Sequence, residues 1–244
     1  MNTVRHDGFT VIETMLFLAV SGALVIAILA GSGIAISQQR YRDAAIGIES
    51  LLQSQYADTS NVVNSRGDNL ECGSDGNDGG KILIAPGSGT RGASECVVLG
   101  RYVRFMANGT GTNVTTANVI GLRFDEAPVT NDIDALKQYR MTRSSIDEEI
   151  TPVAWGAQVI PQDVIVLVLR SPFSGSLRTF IPTGVMPDPD SREIQANAVD
   201  ALNAEQTLCL DTNGFSTGQA TGITIRAAAG GASAIEMEAE SGPC

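Results

Sequence analysis

Histidine is almost absent from this chain of 244 residues, occurring once, at His6. A single histidine excludes paired-histidine metal sites and makes any Ser–His–Asp triad depend on that one position. Aromatic side chains make up only 5% of the chain. The one tryptophan, Trp155, lies between Ala154 and Gly156 and reads as core or edge packing rather than as a ligand platform. No glycine-rich loop is followed by Lys and Ser/Thr, so a phosphate-cradling loop of that type is missing. Four cysteines, Cys72, Cys96, Cys209 and Cys244, form no C-x-x-C pair and have no histidine near them, which ranks metal and thioredoxin-like chemistry low. Basic residues are outnumbered 16 to 27, and the net charge of −11 argues against a broad nucleic-acid footprint. The acidic groups at Asp147-Glu148-Glu149, Asp188/Asp190/Glu193 and Asp75/Asp78 read as solvated loops of an acidic protein rather than acid/base pairs. Calcium would be the better variant of a site there. The Asp75-Gly76-Asn77-Asp78-Gly79 spacing does not follow the EF-hand rule, so no metal or cofactor is expected.

Two absences are positional. No charged residue occurs from Thr14 to Ile36, and no proline occurs between Phe9 and Asp58. The 23 uncharged residues would rise about 34 Å as a helix, enough to cross a bilayer. Beyond them Tyr41, Ala44, Ala45, Ile48, Leu51, Leu52 and Tyr56 recur at steps of three and four, with Gln39, Arg42, Asp43, Glu49, Gln53 and Gln55 between them. That spacing predicts one continuous helix of about 50 residues, its first half facing lipid and its second half-buried on its own domain. The Gly31-Ser32-Gly33 triplet is where such a helix is expected to loosen.

Glu13 is the carboxylate at the edge of this apolar run, and a carboxylate inside a spanning helix costs roughly 2.5–3.5 kcal/mol on insertion scales. It needs a partner. Were the chain cut after Gly8, the new α-amine of Phe9 would have a pKa near about 8 and would lie one helical turn from Glu13, in the same or a neighbouring molecule.

Gly8-Phe9-Thr10-Val11-Ile12-Glu13 resembles the class III signal of type IV prepilins and type II secretion pseudopilins: a short leader, Gly, then Phe, Thr and an apolar pair followed by Glu. The resemblance covers about the first 60 residues strongly and the rest in outline. It implies cleavage by a prepilin peptidase between Gly8 and Phe9, N-methylation of Phe9, and a role for Glu13 in registering one subunit on the next. His6 would leave with the leader. One departure is Ala30, where family members often carry proline. Two plainer readings compete. One is a secretory signal peptide with Arg5 as its n-region and a cut near Ala30 or Ala35, against which Glu13 and the length of the run both count. The other is a membrane anchor with an incidental Glu. Arg5 precedes the run and Arg40 and Arg42 follow it, so charge does not set the orientation; a cytoplasmic N-terminus is implied by the resemblance alone.

Behind the helix, about 185 residues are enough for one substantial core. Strands are expected at Lys81–Ala85, Cys96–Phe105, Val119–Phe124, Gln138–Thr142, Val164–Leu169, Leu177–Ile181, Leu208–Leu210, Ile223–Ile225 and Ala234–Met237, separated by Gly/Asn/Asp turns. A further helix is expected from the Asp188-Pro189 start signal through Ile194, Ala198, Val199 and Leu202. The section from Leu208 to Met237 resembles the closing strands of H-like minor pseudopilins. On the outer side of a membrane an even number of cysteines suggests disulfides. Of three connectivities the preferred one joins Cys72 to Cys96 and Cys209 to Cys244, each closing a modest loop for roughly 3–4 kcal/mol. Four free thiols in a reducing compartment is the alternative, tied to failure of the resemblance.

The sequence therefore predicts an α+β pilin fold. Residues 1–8 are a leader, 9–36 a transmembrane or filament-core half-helix, 37–58 its amphipathic half, and 59–244 a β-rich head. The implied role is a non-enzymatic minor pilin or pseudopilin, held in the bacterial inner membrane and then assembled with other pilins into a surface pilus or periplasmic pseudopilus. The alternatives are a major or adhesive pilus subunit, or a membrane-tethered binding module that does not polymerise.

Overall fold

The computed structural model describes residues 10–61, 70–74, 82–86, 96–182, 192–199, 205–215, 219–226, 230–239 and 244. Helix α1 runs from Val11 to Ser60, 50 residues and about 75 Å long. It passes through Gly31-Ser32-Gly33 without interruption. Without proline every backbone N–H in the interior keeps its carbonyl partner, and the triplet alone does not break that ladder.

The described strands are all antiparallel. β1 (Leu70–Ser74) pairs with β2 (Ile82–Pro86). A seven-stranded sheet has the order β10 (Glu193–Ile194), β5 (Tyr139–Arg143), β4 (Thr112–Arg123), β3 (Cys96–Ala107), β8 (Val164–Arg170) and β9 (Leu177–Phe180). Its remaining strand, β6 (Glu149–Pro152), pairs with Asn113–Thr116 of β4 while β5 pairs with Val119–Arg123, so the two lie end to end on one flank. A four-stranded sheet has the order β13 (Ile235–Ala239), β12 (Thr221–Ile225), β11 (Gln206–Leu210) and β7 (Val159–Ile160). A short helix α2 (Asp132–Lys137) is capped by Asn131, whose side chain accepts from the backbone N–H groups of Ile133 and Asp134.

Two cores sandwich the larger sheet, and β8 shows why. Val164, Val166 and Val168 join the core beneath α1, whereas Ile165, Leu167 and Leu169 point into a second core with Leu136 of α2 and Met141 of β5. Successive side chains on a strand point to opposite faces, so a strand covered on both faces has to be apolar at every position. The core under α1 also takes Leu208, Leu210, Ile223, Ile225 and Ile235 from the smaller sheet. The second half of α1 thus fastens both sheets at once.

Several expectations are corrected in detail. The segment expected as a helix forms, where described, the strand β10 and a 3-10 turn at Ala196–Val199. Glu193 and Ile194 add an edge to β5, and Arg192 carbonyl accepts from the Arg143 amide at 2.7 Å. Pairing with an open sheet edge takes the place of helix at Glu193–Ile194; Asp188, Pro189 and Leu202 lie outside the described residues. β4 begins seven residues before its expected start, because its buried Thr112, Thr115 and Thr116 fit a pleated surface while looking polar in sequence. Gln55, assigned to the polar face of α1, is buried. Trp155, expected in the core or at an edge, is 57% exposed.

Disulfides join Cys72 to Cys96 and Cys209 to Cys244, the same two pairs preferred from the sequence. The first ties β1 to the start of β3. The second ties the last residue of the chain to β11.

Candidate functional site

The first half of α1 has no core of its own. Fourteen large apolar side chains between Val11 and Ile36, Phe17 and Leu18 among them, are exposed. Such a surface far exceeds the scattered apolar residues of a soluble monomer and marks a contact with lipid or protein. At about 1.5–3 kcal/mol per fully buried side chain, covering it releases on the order of 20 kcal/mol. The helix is long and apolar enough to cross a membrane.

Its polar groups are arranged for the same environment. Thr14, Ser21 and Ser32 are the polar side chains of the stretch from Thr14 to Ile36. Each hydroxyl donates back to a carbonyl one turn earlier: Thr14 to Val11 at 2.9 Å, Ser21 to Leu18 at 3.2 Å and Ser32 to Leu29 at 3.0 Å. An unpaired donor in hydrocarbon costs several kcal/mol, at the order given by transfer data, and these three carry no such cost.

Glu13 sits at the third position of the helix and closes a capping box with Thr10. The Glu13 amide donates to Thr10 Oγ1 at 3.3 Å, and the Thr10 amide donates to Glu13 Oε2 at 3.3 Å. The carboxylate therefore has a local task at the positive end of the helix dipole besides any contact with another chain. The S/T-x-x-E spacing of Thr10 and Glu13 is the sequence signal for this contact. Gly8 and Phe9 lie outside the described residues, as do His6, Asp75, Asp78, Asp188 and Asp190.

From Tyr41 onward the helix is held by specific polar contacts as well as by packing. Tyr41 Oη donates to the Leu210 carbonyl at 3.0 Å and accepts from the Thr221 amide at 2.7 Å, bridging β11 and β12. Phe215 packs edge-on to the Tyr41 ring at 5.3 Å between centroids. Gln55 Oε1 accepts from Arg101 Nε at 2.9 Å, and Arg101 Nη1 donates to Asn118 Oδ1 at 2.8 Å. Asn118 in turn donates to Asp147 at 2.9 Å. Tyr56 Oη shares a 2.7 Å hydrogen bond with Thr179, and burial raises the pKa of its phenol. A tyrosine on an apolar helix stripe is the sequence signal for such anchors, whereas Gln55 stands among the polar positions and gives none.

The acidic groups weighed from sequence do not converge where described. Asp147 accepts from Asn118 and Ser144, while Glu148 lies 3.7 Å from Arg143 and 4.0 Å from Arg192. Among the described residues no group of three or more metal-ligating side chains gathers. The arrangement is one continuous helix, half of it bare and apolar, half of it packed on two sheets. The chain matches no known protein-family model, no characterised protein and no solved structure.

Proposed function

We propose that this chain is a structural subunit of a type IV pilus or a type II secretion-like filament, a minor pilin or pseudopilin. The observation that carries the reading is the division of α1: one uninterrupted helix whose first half is exposed and apolar and whose second half is buried under the head. Such an element can be stored in a bilayer and later exchange lipid for the same half-helix of other copies, with little change in its own conformation. The Gly8-Phe9 junction and Glu13 add the processing and registration features. In this reading a prepilin peptidase cuts between Gly8 and Phe9 and methylates Phe9. The chain then leaves the inner membrane for a filament built with other pilins, while the disulfide-tied head faces the oxidising side. Its work is assembly, not catalysis.

The test is mass spectrometry of the native protein together with shearing of surface filaments. The expected result is a chain beginning at N-methylated Phe9, present in the sheared fraction, with Gly8→Arg leaving it uncut. A mature terminus near Gly31 or Ile36 would refute the reading in favour of a secretory signal. A processed chain that never leaves the membrane fraction would favour the tethered binding module.

A further inference from the structure

The tryptophan that the core does not use stands where α1 leaves its apolar stretch. Trp155 lies in a 3-10 turn at Ala154–Gly156 with φ 60° and ψ 17°, in the left-handed region that a bulky side chain adopts only when its surroundings impose it. What imposes it is a backbone-to-backbone contact. A Cβ added to Gly111, in the turn between β3 and β4, would meet the Gly156 carbonyl oxygen at 2.9 Å, and Gly156 itself has φ 69°. The two glycines lock the turns together, and the indole is held outward, 57% exposed.

One face of the ring is covered by α1. The Arg40 guanidinium carbon lies 4.7 Å from the ring centroid, within cation–π range. Arg40 is four residues past Ile36, about 6 Å along the axis. The headgroup layer on each side of a bilayer is about 5–7 Å thick. With Ile36 at the hydrocarbon boundary, the stacked pair falls inside that layer. The charges agree: the first two charged residues after Glu13 are Arg40 and Arg42, both cationic in a chain of net charge −11. Indole rings favour this depth, apolar body inward and N–H in water, and guanidinium forks suit phosphate oxygens.

We propose that Trp155 and Arg40 form a lipid-docking site, the indole embedded among headgroups and the guanidinium on lipid phosphates, which sets the depth and tilt of the head on the bilayer before assembly. The site rests on the reading that the first half of α1 spans a membrane. It also gives the strained turn a purpose that packing within the head does not supply.

Because Trp155 is the only tryptophan, its fluorescence reports on the site alone. The full chain is reconstituted into phosphatidylcholine vesicles with increasing phosphatidylglycerol, using lipids brominated either near the carbonyl or near the methyl end of the chains. Flotation of the same samples reports on the anchor. The expected result is protein that floats, blue-shifted emission, and quenching that is stronger for the shallow bromines and rises with the phosphatidylglycerol fraction. Arg40→Gln should float equally and lose the dependence on phosphatidylglycerol. Floating protein whose emission stays water-like and whose quenching by aqueous acrylamide matches free indole would overturn the dock while leaving the anchor intact. Protein that fails to float overturns the anchor and the dock with it. Shielding of Trp155 that arises only in sheared filaments, and not in vesicles, would assign the surface to a protein neighbour and overturn the lipid proposal.

Discussion

Tyr41→Phe isolates one oxygen atom that fastens the long helix to the smaller sheet. The side chain is 5% exposed. Its hydroxyl serves two backbone groups, donating to the Leu210 carbonyl at 3.0 Å and accepting from the Thr221 amide at 2.7 Å. Phenylalanine keeps the ring and its edge-on contact with Phe215, so the packing term is nearly unchanged and only the hydrogen bonding is lost. A buried polar group left without its partner costs about 1–3 kcal/mol. Leu210 is fully buried and carries that cost, whereas Thr221 is half-buried and its amide is open to replacement by water. The expected destabilisation is therefore about 1–3 kcal/mol rather than twice that. For a chain of this size each kcal/mol moves Tm by about 2–4 °C, so a fall of roughly 2–12 °C is expected by calorimetry or circular dichroism of the detergent-solubilised chain. Cys209 and Cys244 should remain bonded, which excludes loss of the disulfide as the cause. A Tm within about one degree of the native chain would refute the claim that this hydroxyl joins helix and sheet.

Further outcomes follow from other parts of the chain. Glu13→Gln keeps an acceptor for the Thr10 amide and a good capping-box residue but removes the charge; it should be inserted and cut normally yet enter filaments poorly, and normal incorporation of the processed variant would sink the pairing of Glu13 with a neighbour's amine. Non-reducing peptide mapping of protein from the cell envelope should recover Cys72–Cys96 and Cys209–Cys244, and reduction should cost up to about 3–4 kcal/mol per bridge; recovery of four free thiols would contradict it. The nearby Ser174 and Ser171 hydroxyls, together with the Arg178 guanidinium and the Ser176 hydroxyl that donate to Oδ2 at 2.9 Å and 3.0 Å, hold the Asp132 carboxyl far below the usual range despite its burial. A carboxyl lowered by folding contributes stability that is present above its unfolded value near about 4 and is lost as pH falls below it. Acid titration of thermal stability should accordingly show a decline below about pH 4 that Asp132→Asn flattens, and an unchanged acid limb would remove Asp132 as its source.

Legibility in the sequence followed how completely each element is covered. β8 was readable almost to the residue because Val164 to Leu169 is apolar throughout, the pattern of a strand buried on both faces. α1 was readable because no proline interrupts it and its buried positions repeat at three and four. α2 is six residues long, too short for a period to show, and its signal was Asn131 three residues before Asp134. The first half of β4 was hidden by threonines whose burial depends on neighbours distant in sequence. Ile194, Ala198 and Val199 are spaced as on a helix face, yet they lie on a strand edge and a turn that join the second core. The exposure of Trp155 could not be foreseen, since it depends on two glycines, Gly111 and Gly156, meeting across separate turns. At Glu13 the local signal is the Thr10-x-x-Glu13 spacing, the pattern of the capping box that the structure shows.

The back-bonded hydroxyls of Thr14, Ser21 and Ser32 limit what the bare half of α1 can say to another helix. Each donor is engaged within its own turn, so two such surfaces in contact gain dispersion and shape fit but no new side-chain donor pairing. Contact of that kind changes gently when one helix slides or rotates against the other. The surface behaves as a lubricated rod rather than a keyed one, and it can leave one apolar environment for another without first breaking polar bonds. Positional information then has to be concentrated at the ends of the rod, at Glu13 on one side and at the collar of Arg40 and Trp155 on the other.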